Sequence, residues 1–321
     1  GGLNKLQQTT APNGYYTKLY YDNLSRENKV EENISGQSFF TEYNYNSINL
    51  LEKIKYPSGF TIKSDFDANG FISKIKNDAT SQVLWECIEM NPFNMVSRYN
   101  SGNGIPTQNF YTNFGFPSQF NSPGIQQLNF AFDEKNANLK SRNDGILSKT
   151  ETFSFDPLNR LQQVQIPSLP NLNVSYNLNG NILNKTNIGA LTYKSNKPDA
   201  VDEVTNPNTV INLNQQDVTY TAFNKAQTIT EGIYQYDITY GSEQQRKKTD
   251  LYVSSSLNKT RFYVGDYEKT IQGTNIEEVH YINTPNGLDA IYVITNGVGA
   301  TFFTYNDYLI AQQLNSLPRE L

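Results

Sequence analysis

One ten-residue unit recurs along this chain, and its steady period commits the chain to a repeat architecture. Each copy has an aromatic, then Asp or Asn, two variable residues, then Gly or Asn, and a second strand-like run. It reads YDNLSRENKV from Tyr21, YNSINLLEKI from Tyr45, FDANGFISKI from Phe66 and MNPFNMVSRY from Met90. It returns as YTNFGFPSQF from Tyr111, FDEKNANLKS from Phe132, FDPLNRLQQV from Phe155 and YNLNGNILNK from Tyr176. Weaker copies open at Tyr220 and Tyr240, and a degenerate one around Tyr193 fills the double gap before Tyr220. Most starting points lie 20 to 24 residues apart.

The fifth position holds Gly70, Gly115 and Gly180, and Asn49, Asn94, Asn136, Asn159 and Asn224; only Ser25 and Gln244 depart. Asn and Gly make up about a fifth of the chain, so roughly two of ten positions would carry them by chance. Both residue types tolerate positive φ, which predicts a turn at this position of every unit. At the second position stand Asp22, Asn46, Asp67, Asn91, Asp133, Asp156 and Asn177. Such a side chain can bond the backbone two residues on and start that turn. The unit therefore reads as strand, turn, strand. Tyr234 to Tyr240 alternates strictly with a period of two, as a strand does. The expected fold is all-β, a long twisted antiparallel sheet of hairpins. The opening aromatics Tyr21, Tyr45, Phe66, Tyr111, Phe132, Phe155, Tyr176, Tyr220 and Tyr240 are expected to be buried core.

Composition agrees. The chain has 22 Tyr, 18 Phe and only 18% charged residues, and Asn alone supplies about one residue in eight. A net charge of −5 provides no positive field for nucleic acid or a membrane surface. The rare residues exclude chemistry: one cysteine, Cys87, allows no intrachain disulfide and no Cys-x-x-Cys site, and one histidine, His280, allows no His-pair metal site. His280, in His280-Tyr281-Ile282, reads as a structural strand histidine. Cys87, beside Trp85, reads as a buried thiol. The turn aspartates lack the dense Asp-x-Asp spacing of a calcium loop, and Gly102-Asn103-Gly104 lacks the rest of a phosphate loop. Arg246-Lys247-Lys248 reads as a solvated turn or edge device. No cofactor or metal is expected, and no apolar run is long enough for a transmembrane helix. The start Gly1-Gly2-Leu3-Asn4 has neither Met nor a signal pattern, which suggests a piece of something longer.

With its Tyr21-Asp22, Phe66-Asp67 and Phe155-Asp156 openings at a steady period, the chain resembles the Rhs/YD-repeat family over roughly residues 15 to 310. Lys197-Pro198-Asp199-Ala200-Val201 is similar to the family's N-x-P-H-A-V segment, with Asp199 in place of His. Arg261 to Glu268 looks like its Y-x-G-x-Y-E strand. His280-Tyr281-Ile282 and Gly287 to Val293 resemble the opening of the Rhs-associated core. The pattern then departs, because Tyr305 to Ala311 replaces the His, Gly and Ser of the family's next motif. The later Asp-Pro-x-Gly segment, linked to self-cleavage, is absent from the sequence. The resemblance implies a YD-repeat array over 1–260 and the start of the core region over 261–321. It further implies a secreted or cell-surface, non-catalytic wall of a shell. The expected partners are the rest of a longer parent chain or partner shell subunits, and an enclosed toxin polypeptide. The competing expectation is an extracellular adhesion module that binds glycans or protein through exposed Tyr and Asn. An enzyme fits poorly with one histidine and one cysteine.

Overall fold

The structure, a computed structural model, describes residues 4–205, 216–304 and 307. They form 28 strands in two antiparallel sheets of 19 and 9 strands. Among the described residues Asp307 alone is helical. Strands pair with their neighbours in sequence: Tyr16–Tyr21 with Glu27–Ile34, then Glu27–Ile34 with Gln37–Tyr45. The fold is the expected all-β hairpin repeat, described as two sheets instead of one; the boundary spans 206–215, outside the described residues.

The turn geometry follows from the unit. Asp22 N–H donates to Arg26 O at 2.9 Å and Ser25 N–H donates to Asp22 O at 3.0 Å. The Asp22 carboxylate Oδ1 accepts from Leu24 N and Arg26 N, each at 2.9 Å. Asn46, Asp67, Asn91 and Asp156 repeat both side-chain bonds, and Thr112 makes them with its hydroxyl. The fifth residue is left-handed, with φ of 68° at Asn49, 85° at Gly70, 81° at Gly115 and 94° at Gly180. Ser25 and Gln244, which break the sequence rule, obey the geometric one with φ of 60° and 58°. One extra residue in that conformation forms a β-bulge. The strand register shifts accordingly at each opening aromatic, between Tyr20 and Tyr21, Asn44 and Tyr45, and Ser154 and Phe155. One unit differs from expectation. The turn after Phe132 is one residue longer, so Asp133 N–H reaches Asn138 O, and Ala137, not Asn136, is left-handed.

Two compact units partition the chain. Gly1–Met90, Tyr99–Ile105 and Gln215–Leu321 make the first; Asn91–Arg98 and Pro106–Asn214 make the second. The first owns most of the hydrophobic core, including Ile34, Phe39, Tyr56, Ile75, Leu84, Trp85, Phe262, Tyr267 and Ile282. Here early strands face late ones: the Phe39 ring lies 5.2 Å from Phe262 and 6.3 Å from Tyr267. In the second unit only Val96 and Val174 are buried hydrophobic residues among those described. The expectation that the opening aromatics are core is corrected accordingly. All nine are half-buried.

The turn analysis sets a stability order. Gln244→Gly is expected to raise unfolding stability by about 0.5–1 kcal/mol by relieving a left-handed side chain. Gly180→Val is expected to lower it by roughly 1–2 kcal/mol through backbone strain, since no atom lies within 4 Å of a Cβ built there. Urea denaturation compares the variants; a stabilised Gly180→Val would overturn the turn assignment.

Candidate functional site: the joint between repeats

The recurring chemistry of the unit converges where one hairpin meets the next. The tyrosine that opens a unit turns back and donates its hydroxyl proton to the seventh-residue carbonyl of the unit before. Tyr45 Oη lies 2.8 Å from Glu27 O, Tyr176 2.7 Å from Leu161 O and Tyr240 2.7 Å from Ala226 O. Tyr111 reaches Val96 O at 3.5 Å, and Tyr193, in the degenerate unit, reaches Ile182 O at 2.8 Å. Tyr21 makes the same kind of bond to Leu6 O at 2.6 Å. The unit openings Phe66, Phe132 and Phe155 carry no hydroxyl to do so. Phe132 instead stacks on Phe116 with centroids 5.2 Å apart.

A sixth-position cation completes the joint. Arg26 pairs with Asp22 of its own turn at 2.6 Å and lies over the ring of the next Tyr45 at 4.3 Å. Arg160 does the same, 2.6 Å from Asp156 and 4.4 Å from the Tyr176 centroid. Lys225 sits 5.8 Å above Tyr240. The Asp156 carboxyl is held below the usual carboxylate range first by the Arg160 amide and then by its guanidinium. The Lys135 amide, followed by Lys140, does so for Asp133. At Asp22, hydrogen bonds from Arg26 and Leu24 outweigh the upward push of desolvation. Sequence reasoning missed the cation, although Arg26, Arg160 and Lys225 share one position of the unit. The joint thus brings together Asp22 with Tyr45 and Asp156 with Tyr176. Asp67, Gly70, Gly115 and Gly180 shape turns, and Tyr220 opens the hairpin Gln216–Tyr220 with Ala226–Glu231.

His280 lies in the strand Asn275–Thr284, as the sequence predicts, and is fully buried. Its Nδ1 is 2.7 Å from Tyr292 O, a pure acceptor, so Nδ1 carries the proton. Nε2 then accepts the Ser58 hydroxyl at 2.6 Å. An open cavity of about 380 Å³, lined in part by Lys29, Glu42, Lys55, Tyr56 and Ser58, adjoins this pair. However, Ser58 Oγ also takes the Phe60 amide, and Gly59 N–H is held by Tyr56 O. With these bonds the Ser58–His280 pair clamps the turn onto the strand Asn275–Thr284. Burial holds the imidazole pKa below its ordinary value.

Two expectations are corrected. Cys87 is half-exposed, with its thiol pKa raised by burial, rather than fully buried. Arg246-Lys247-Lys248 opens the strand Arg246–Val253; Arg246 is exposed as expected, but Lys247 bonds the buried Glu32 at 2.5 Å and Lys248 bonds Asp250 at 2.7 Å. Gly102-Asn103-Gly104 is a turn whose Asn103 donates to Thr304 and Asp307. Of Tyr305 to Ala311, only Asp307 is among the described residues.

The fold and its joint define a β-hairpin repeat strip. No protein-family model matches the chain. No curated protein matches its sequence. Solved structures share the fold. A crystal structure of TcdB2-TccC3 aligns with a TM-score of 0.69 at 14% identity, over 92% of this chain and 19% of that one. TcdB2-TccC3-TEV gives 0.68 at 13% identity, over 94% and 19%. The Photorhabdus luminescens Tc holotoxin pore gives 0.66 at 14% identity, over 91% and 18%. The chain thus spans less than a fifth of the length of these structures.

Two predictions test the joint and the buried groups. Tyr176→Phe is expected to cost about 0.5–1.5 kcal/mol for the lost hydrogen bond, and Arg160 and Tyr176 to couple by about 0.5–1 kcal/mol in a double-mutant cycle. Phe155→Ala, at half burial, should cost less than the roughly 3–5 kcal/mol of a core Phe. The second concerns pH. Burial raises the Asp289 carboxyl from 3.8 to about 6, with Ser101 Oγ at 3.2 Å from Oδ1 and no partner on Oδ2. The folded state therefore holds this proton more tightly, and stability falls as pH rises from about 4 to 6. His280 acts oppositely: its lowered pKa means stability is lost as pH falls below about 6.5. Asp289→Asn is expected to gain on the wild type between about pH 4 and 6, then hold a constant advantage. Urea midpoints across pH measure this, and a pH-independent difference would refute it.

Proposed function

We propose that this chain is a non-catalytic wall segment of an Rhs/YD-repeat shell that encloses or presents a toxin or effector polypeptide. The observation that carries the reading is the joint. Asp, Arg and Tyr lock hairpin to hairpin at Asp22–Arg26–Tyr45 and Asp156–Arg160–Tyr176, and Tyr21, Tyr111, Tyr193 and Tyr240 make the hydroxyl bond at other joints, as suits wall material. The fold likeness to TcdB2-TccC3 complexes supports it. The YD-type openings support the family, and with it a secreted or surface location and partners from a longer parent chain or other shell subunits. The buried, doubly bonded His280 favours a chain without catalysis. The adhesion reading is weakened because the opening tyrosines engage their hydroxyls in the joint.

On this reading the chain alone cannot enclose a cargo. Its 28 strands, at about 4.8 Å each, give a contour of at most roughly 130 Å. A cargo of about 150 residues has a radius of gyration near 15 Å and a girth of about 120 Å. That contour amounts to about one girth, too little wall to close over such a cargo. Co-expression of residues 1–321 with a cargo domain, followed by protease, tests this. Cargo degraded with the isolated chain, and protected in a longer parent or a complex, is the expected result; full protection by the monomer overturns it.

A further inference from the structure

We propose that Asn69, Asn179 and Asn286 are self-modifying sites, each converting in the folded chain to an aspartyl or isoaspartyl residue with loss of ammonia. Six asparagines of this chain precede a glycine: Asn13, Asn69, Asn103, Asn179, Asn286 and Asn296. A glycine in that position has no Cβ to obstruct its amide nitrogen. That nitrogen attacks Cγ of the Asn side chain. The N–Cγ bond forms, the Cγ–Nδ2 bond breaks, and Nδ2 takes the glycine's amide proton and departs as ammonia. Water then opens the cyclic imide at one carbonyl or the other. One opening gives Asp; the other gives isoaspartate, in which Cβ joins the main chain.

The structure divides the six into two sets. All six are exposed, so water reaches them alike. In three of them both ends of the side-chain amide are held. Asn13 Oδ1 accepts Tyr15 N–H at 3.1 Å while Nδ2 donates to Tyr240 O at 2.8 Å. Asn103 Oδ1 accepts Ile105 N–H at 3.1 Å, and Nδ2 donates to Thr304 Oγ1 at 2.8 Å and Asp307 Oδ1 at 2.9 Å. Asn296 Oδ1 accepts Ile276 N–H at 2.7 Å while Nδ2 donates to Asn275 Oδ1 at 3.1 Å. A backbone N–H faces the oxygen in every case, which fixes the orientation of each amide. The side chains of Asn69, Asn179 and Asn286 make no hydrogen bond among the described residues. Their neighbours bond the main chain instead: Asn69 N–H donates to Asp67 Oδ1 at 2.9 Å and Asn286 N–H to Thr284 Oγ1 at 3.1 Å.

The attacking nitrogen does not account for the division. Gly70 and Gly180 N–H donate to Asp67 O and Asn177 O, each at 3.1 Å, and Gly14 and Gly104 N–H donate to Ala11 O at 3.0 Å and Ser101 O at 2.8 Å. A free side chain rotates Cγ toward that nitrogen, whereas a held one must first break its bonds, enough to slow the attack on the order of tenfold. Asn69 and Asn179 also sit where the product matters. Each stands directly before the left-handed fifth residue of its unit, with φ of 85° at Gly70 and 94° at Gly180. Isoaspartate there adds a main-chain atom to a turn closed by Asp67 N–H on Phe71 O or Asn177 N–H on Asn181 O, both at 2.9 Å. The modification therefore disturbs the residue count that sets strand register.

Incubation of the full 321-residue chain in mildly alkaline buffer, with peptide mapping by mass spectrometry at intervals, tests the proposal. Fragmentation that separates α-linked from β-linked aspartate reads both products. In the folded chain Asn69, Asn179 and Asn286 are expected to convert on the order of tenfold faster than Asn13, Asn103 and Asn296. In urea the six rates are expected to converge. Equal rates in the folded chain overturn the proposal. So does a division that persists unchanged in urea, because it would belong to local sequence and not to the held side chains. The Tm of the aged chain should fall as isoaspartate accumulates, while Asn69→Asp, which is α-linked, keeps the wild-type Tm. An equal fall in Asn69→Asp assigns the effect to charge and refutes the role of the added main-chain atom. No readout involves a cargo or a partner, so the outcome is separate from that of the shell reading.

Discussion

The left-handed fifth residue is the constraint on which the rest depends. Side chains in a strand alternate faces, so a slip of one residue would turn every aromatic to the other side of the sheet. The bulge absorbs one residue at each turn and pairs the opening aromatic with the seventh residue, as Tyr45 with Leu51 and Tyr176 with Ile182. Because this count repeats, Tyr45, Tyr176 and Tyr240 all meet the preceding hairpin in one way. The second-position side chain enforces the count by accepting two amides that the turn would otherwise leave open. Conformational strain at Ser25 or Asn159 is tolerated because those bonds, together with the neighbouring joint, over-determine the turn.

Packing then separates the two units. In the first, three turns at the ends away from the repeat turns, Ala11 to Tyr15, Tyr56 to Phe60 and Ser101 to Ile105, recur at intervals of 45 residues. Each delivers its residues onto the later strands: Tyr15 beside Lys247, Tyr56 and Phe60 around His280, and Ser101 on Asp289. The core of this unit is thus fastened at regular intervals, with His280 and Ser58 clamping the middle turn. The second unit lacks such partners in its buried hydrophobic residues and relies on its ladders, joints and ring contacts.

The turns, the hairpins and the capping role of Asp22, Asp67 and Asp156 were legible because they are local, carried by residue types with their own conformational preference. Burial was not. Whether Tyr176 is core or half-covered depends on a second layer, and no feature within its own unit encodes one. Lys247 looked like a surface cation within Arg246-Lys247-Lys248 for the same reason: its partner Glu32 lies 215 positions earlier. The 45-residue spacing of Asn13-Gly14, Ser58-Gly59 and Asn103-Gly104 is visible in the sequence. It went unread because the shorter period of the aromatic unit dominates. The joint cation was equally visible at Arg26 and Arg160, but its target ring belongs to the next unit.

The neutral polarity of the chain has a physical use in so open a sheet. An exposed strand face needs side chains that satisfy one another across strands without large desolvation costs. In the second unit Gln119 donates to Asn129 at 2.7 Å, Asn129 to Asn143 at 3.2 Å and Asn143 to the Thr150 hydroxyl at 3.0 Å. Gln163 donates to Asn173 at 2.7 Å. An amide is donor and acceptor at once, so a run of them continues from strand to strand, whereas charges must alternate in sign. The first unit uses that second solution, with Lys63 on Glu52 at 3.2 Å and Lys74 on Glu86 at 2.8 Å. Salt screens such exposed ion pairs and scarcely affects amide bonds. The amide ladder of the second unit is therefore expected to hold across ionic conditions, whereas the ion pairs of the first unit weaken as salt rises.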